Sequence, residues 1–254
     1  MLPTIRINRA TKAAVVAVAV VASTVVVYLI QHQPAGKHMS AAPATVVSVP
    51  ATPAAVATPA PHAPTRSALR HDRVAPAAPT AFEIRGSAFD IKASVCPMDY
   101  VRPLDPPGDQ VHTVCWVRAN FGVAPGSKSG GTSYILGHAW AQAKLVFNPL
   151  SELATSELDT DHPQPQNGVP TYPMKGLNGY RVTLRTRNGT LTYVVRHTFA
   201  VSKEHAGDVH SLMANTPNRV VLITCAVAGG ADLDYNIVVY ANLISSVAAH
   251  RPAP

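Results

Sequence analysis

Charge is scarce in this chain. Asp, Glu, Lys and Arg together make up 14% of its 254 residues, and acids number 14 against 21 Lys and Arg. The formal excess of +7 would suggest a nucleic-acid partner if a folded domain carried it. Residues 1–80 hold seven of the Lys and Arg (Arg6, Arg9, Lys12, Lys37, Arg66, Arg70, Arg73) against one acid, Asp72. The rest of the chain is close to neutral, so nucleic-acid binding is set aside. The length leaves room for one ordinary catalytic domain with accessory segments, not for two large domains. Helical periodicity is scarce in the later half, and there are only three cysteines, an odd number that cannot all pair within one chain. Apolar residues, at 47%, are ample for a core.

The first apolar run is at 13–30, AAVVAVAVVASTVVVYLI, and it carries no charge. At about 1.5 Å rise per residue it spans roughly 27 Å, close to a hydrocarbon core of about 30 Å. Arg6, Arg9 and Lys12 precede it, so the expected arrangement is a single-pass cell-membrane anchor with residues 1–12 inside and the remainder exported. A cleavable signal peptide is the competing reading. The run is longer than the usual h-region of about 7–15 residues, and small-residue sites such as Ala41–Ala44 lie far beyond it. Residues 31–80 follow, rich in Pro, Ala, Val and Thr and without apolar period. Such a segment cannot offset its ordering entropy by burial and is expected to be a disordered, extended tether.

From residue 81 to 254 the texture is that of a β domain. Short alternating runs rich in Val, Ile, Thr, Tyr and Phe recur at 82–85, 89–95, 112–117, 132–137, 144–147, 180–187, 190–201, 220–224 and 236–241. Asn188-Gly189 is a strong hairpin signal between two of them. Residues 206–214 are the one clear helical stretch of the later half, with Val209, Leu212 and Met213 three and four apart. Residues 151–176 read as a long acidic, Pro-rich loop after a short helix. About eight strands with little helix indicate a mainly β fold, a single closed β-barrel, with a sandwich as the alternative.

The cysteines are Cys96, Cys115 and Cys225. In an exported domain thiols tend to pair. Cys96 ends one predicted strand and Cys115 lies in the next, so a Cys96–Cys115 bridge across adjacent antiparallel strands is expected, two separate buried thiols being the alternative. Cys225 is then left over. It ends the apolar run Val220-Val221-Leu222-Ile223-Thr224 just before a Gly-rich turn, a place where a thiol is held firmly yet can be approached. A nearby imidazole would raise its thiolate fraction. Of the eleven histidines, His138 stands out because it ends the run Thr132-Ser133-Tyr134-Ile135-Leu136-Gly137. A structural histidine and a core cysteine are the plainer readings of each residue alone.

Taken together the two motifs resemble the sortase family, in its class E/F-like form. Leu222-Ile223-Thr224-Cys225 is similar to the family's strand-ending T/V-L-x-T-C, and Tyr134-Ile135-Leu136-Gly137-His138 to its strand-ending G-H. Pro125-Gly126, the run Asn236-Ile237-Val238-Val239-Tyr240-Ala241, the anchor and the tether also fit. The resemblance implies an eight-stranded barrel and a cysteine transpeptidase without cofactor or metal. Cys225 would attack a Thr–Gly carbonyl in an LPxTG-like sorting signal to form a thioester, and His138 would be its acid/base partner. The acyl acceptor would be a peptidoglycan or pilin amine, Thr224 and Asn236 would shape the oxyanion region, and the loop into 206–214 would form a groove wall. One departure stands out. Where sortases carry an arginine before an apolar run of this kind, this chain has Asn236. Either the neutral amide substitutes, or another cation such as Arg196 reaches in, or the protein is a weak or inactive homologue. Arg219 lies too far along the nucleophile's own strand. The rival functions are an envelope cysteine hydrolase and a non-catalytic envelope scaffold. The acidic stretch 152–161 reads as a solvated loop.

Overall fold

The computed structural model describes residues 69–250 except 103, 119–120 and 128–129. The expected anchor at 13–30 and the tether up to residue 68 lie outside the described residues. Among the described residues no helix is long and apolar enough to cross a membrane.

Ten strands form one sheet: β1 (Pro79–Arg85), β2 (Asp90–Asp99), β3 (Thr113–Arg118), β4 (Thr132–Leu136), β5 (Gln164–Gln166), β6 (Val169–Met174), β7 (Arg181–Thr186), β8 (Gly189–Ser202), β9 (Arg219–Ala228) and β10 (Ala231–Ala248). Their order runs β10-β9-β4-β3-β2-β1-β7-β8, and a further β8–β10 pairing closes these eight into a barrel. Closure removes the sheet edges that would otherwise stay unpaired. The β5–β6 hairpin adds to the C-terminal half of β8, where Thr171 faces Val201. Most neighbours are antiparallel, but β2–β3 and β4–β9 are parallel.

Alternation along the strands sorts side chains into two clusters. Phe82, Ile84, Val114, Ile135, Val220, Leu222, Ile237 and Val239 belong to the first, which fills the barrel. Helix α1 (Asn148–Thr155) adds Leu150 and Ala154 to it. The second gathers Leu136, Val221, Ile223, Val238, Phe199 and Val201 from the opposite face, covered by Val209 and Leu212. The strands β4 and β9 are therefore buried on both faces. That is why they read as unbroken apolar runs rather than as alternating ones.

Several expectations are corrected by the structure. Residues 144–147 are no strand: they turn into α1, which Pro149 starts at its first turn. A short apolar run does not distinguish a strand from the entry to a buried helix. The stretch read as one long loop after a helix contains β5 and β6, joined at Asn167 (φ 50°) and Gly168 (φ 86°), an Asn-Gly hairpin turn. The helical stretch at 206–214 is broken: a 3-10 turn (Ala206–Asp208) and the four-residue α2 (His210–Met213) are separated by extended Val209 (ψ 100°). Strand β9 runs three residues past Cys225 to a Gly229-Gly230 turn. Finally, residues assigned to the tether pack against the barrel. Val74 is buried, and Asp72 N–H donates to Ser246 O at 2.8 Å.

Candidate active site

Ladder register explains how two remote strand tips meet. β4 and β9 run parallel, with Leu136 level with Ile223, and Gly137 N–H donates to Ile223 O at 3.2 Å. β4 ends at Leu136, and its register carried on by two residues brings His138 towards the level of Cys225; both residues line one groove. On the other side of β9, antiparallel β10 places Asn236 opposite Cys225. The three residues thus make a row across β10, β9 and the segment just past the tip of β4. Gly137 is required here, since a Cβ would run into the Phe147 ring. The row lies in a groove of about 490 Å³ that His138, Cys225, Asn236 and Thr224 all line. Leu136, Ile223, Val238, Leu212 and Met213 make its apolar surface, and Tyr100, Arg102, Leu104, Pro106, Lys203 and Glu204 also border it.

Cys225 is the free thiol of the chain, half-buried. Burial pushes its pKa up, the Lys203 charge pulls it down, and Asp232 pushes it up again. Its backbone is clamped from α1. Ser151 Oγ donates to Cys225 O and accepts from Val227 N–H, both at 2.8 Å, and Thr155 Oγ1 donates to Val227 O at 2.6 Å. His138 is 18% exposed. Its Nε2 is 2.9 Å from Pro106 O and 3.4 Å from Asp105 Oδ1. A carbonyl only accepts, so Nε2 is the donor in the contact with Pro106. The segment that delivers Pro106 lies within the loop closed by a Cys96–Cys115 disulfide. The bridge joins directly paired residues, Cα–Cα 4.5 Å, on parallel rather than antiparallel strands.

The remaining expected site residues divide. Thr224 borders the groove, but alternation turns its side chain to the face opposite Cys225, where Oγ1 is buried with no partner among the described residues. Arg196 is not brought in. It occupies the bulge between the pairs Tyr240–His197 and Ala241–Val195, is exposed, and does not line the groove. Arg219 is structural: it is buried, donates to Thr132 Oγ1, Ser211 O and Ala214 O, and lies over the Tyr240 ring. Sequence reasoning missed Ser151, Arg102, Pro106 and Lys203. No local pattern marks them, because each meets the site through residues far away in the chain.

The sequence matches the sortase domain family over residues 87–244, well over half the chain. The chain belongs to the sortase family. Sortases are cysteine transpeptidases that act on sorting-signal proteins and amine acceptors, and membership assigns this chain that general class. Among solved structures, sortase A of Listeria monocytogenes is similar at 13% identity and TM-score 0.42, over 69% of this chain and 93% of that one. Sortase E1 of Streptomyces coelicolor, solved with a tripeptide in its active site, is similar at 11% identity and TM-score 0.43, over 70% and 94%. Sortase C-1 of Actinomyces oris stands at 16% and 0.41, over 64% and 73%. No curated protein sequence matches this sortase.

Proposed function

We propose that this sortase cleaves an LPxTG-like sorting signal at the Thr–Gly bond and passes the acyl group to a cell-wall or pilin amine through a Cys225 thioester. The observation that carries this reading is the row His138–Cys225–Asn236 in one groove. Cys225 thiolate adds to the threonine carbonyl carbon, and the π pair moves onto oxygen. Collapse breaks the C–N bond, and the departing amine takes its proton from protonated His138. The acceptor amine then attacks the thioester, with neutral His138 taking its proton. Asn236, beside Cys225, has an amide N–H suited to the oxyanion. Lys203, Glu204, Ala206, Gly207, Leu212 and Met213 line the wall along which the peptide lies. The apolar run at 13–30 anchors the protein, and the catalytic domain works outside the cytoplasm at the end of its tether.

The test is thioester trapping: the protein is incubated with LPxTG and LAxTG peptides and followed by mass spectrometry, with and without added amine. Acyl-enzyme on Cys225, lost in Cys225→Ala, with product acyl transferred to the amine, is the expected result. Transpeptidation surviving in Cys225→Ala would reject the assignment. The neutral Asn236 favours one second reading, a weak or inactive sortase-fold scaffold, and an intact Cys225 that never acylates would establish it. Free acid as the product even with amine present would make the protein an envelope hydrolase.

A further inference from the structure

The groove has a neutral amide where an arginine is usual for the family, so the origin of its positive charge is open. Resting on the reading of Cys225 as nucleophile, we propose that Lys203 is the cation of this site, steadying the Cys225 thiolate and the oxyanion that forms from the scissile carbonyl.

Strand register leads to this lysine. The row of site residues continues beyond Asn236 to β8, where Val201 stands opposite it. Lys203 is two residues further along, just past the end of β8, and its N–H donates to Asp234 O at 3.2 Å. The chain thus keeps alongside β10 at the point where the lysine leaves it. Two strand spacings and two residues of rise separate the Cys225 and Lys203 backbones, on the order of 12 Å. A flexible four-carbon stem starting at the groove's border covers much of that distance. The lysine borders the groove together with Cys225 and Asn236.

The arginines in and around the groove are placed differently. Arg102 lines the groove, but its Nε donates to Tyr100 Oη at 2.8 Å and its guanidinium lies 5.8 Å from that ring's centroid, packed against Gly207. Arg219 spends its donors on Thr132, Ser211 and Ala214. Arg196 lies outside the groove. Electrostatics agrees with the geometry: of the two charges felt at the thiol, Lys203 favours the thiolate and Asp232 opposes it.

Lys203 exchanges no proton in this role. When sulfur bonds to the carbonyl carbon, the displaced π pair becomes an alkoxide, which the ammonium stabilises as a point charge alongside the Asn236 amide. On collapse the pair returns, the C–N bond breaks, and the proton for the amine still comes from His138. An ammonium lacks the bidentate fork of a guanidinium, so the division of labour is a neutral donor nearby and a charge further out.

Because Cys96 and Cys115 are bridged, Cys225 is the one thiol that iodoacetamide can alkylate, and its rate against pH reports the thiolate without any sorting peptide. In the full-length protein, Lys203→Met should move the alkylation midpoint up by about half a pH unit, slowing the reaction roughly threefold near neutrality. It should also lower kcat on the sorting peptide by about tenfold or more. Lys203→Arg should restore both, and Arg102→Met should leave the alkylation midpoint in place. An unshifted midpoint with unchanged kcat in Lys203→Met, or a shift in Arg102→Met alone, overturns the proposal. If no sorting peptide is turned over by the parent, the proposed function fails, while the alkylation profiles still decide the role of Lys203.

Discussion

The two sides of the groove are built differently. On one side, His138, Cys225 and Asn236 stand at places set by hydrogen-bond ladders between β4, β9 and β10, strands packed in the core. On the other, Tyr100, Arg102, Leu104 and Pro106, with the groove-lining residues between Lys203 and Met213, are held by a disulfide, a few side-chain bonds and one broken helical stretch. Reacting groups need fixed separations, which a buried ladder enforces. A wall that must admit a peptide and carry charge tolerates more freedom, and loops provide it.

The largest effect should come from breaking the row itself. His138→Gln is expected to lower kcat/KM on a sorting peptide by about 10²–10⁴ with an unchanged urea midpoint. Near-parental turnover would move the acid/base role off the strands. Next is the staple of the loop wall. Cys96→Ser with Cys115→Ser should reduce stability by about 3 kcal/mol, since the bridge closes a loop with sequence separation 19. If the wall only guides the peptide, KM should rise more than kcat falls; the opposite split would show that the Pro106 contact governs His138 directly.

A smaller effect is expected at Ser151→Ala, which leaves Cys225 O and Val227 N–H without their partner. The expected destabilisation is about 1–3 kcal/mol by urea unfolding, with a fall in kcat because the nucleophile's strand loses its clamp. A fall in stability alone would show that the ladder suffices to hold Cys225. The smallest effect concerns acid. Burial beside Phe199 and Tyr240 holds the His197 pKa below the ordinary histidine value. The unfolded chain then binds the proton more readily than the folded one, so this contribution to stability is complete above about pH 6.5 and fades as pH falls through that region. His197→Gln should flatten the drop in urea midpoint between pH 7.5 and 5.5. An unchanged slope would place the acid sensitivity elsewhere.

Much of the barrel was readable before any coordinates, because β4, β8 and β9 announce themselves by apolar and β-branched runs that few other structures would bury. The Gly137-His138 and Thr224-Cys225 tips were readable for the same reason. The β5–β6 hairpin was missed although Asn167-Gly168 carries its signal, since prolines and acids around it masked the strand pattern. The 206–214 stretch has helical spacing but bends at Val209, which is fully buried over the outer face of the sheet, so tertiary packing outweighed propensity.

From the sequence alone followed a mainly β domain, one thiol left over from three, a histidine after a strand-ending glycine, and the family those motifs resemble. These are properties of neighbours along the chain, where alternation, turn chemistry and composition act. Only the folded structure could decide that β4 and β9 run parallel with Leu136 beside Ile223, that Arg196 lies outside the groove, and that Lys203 borders it. Register and facing are set by which strands pair and by what covers each face, and both depend on residues dozens of positions apart.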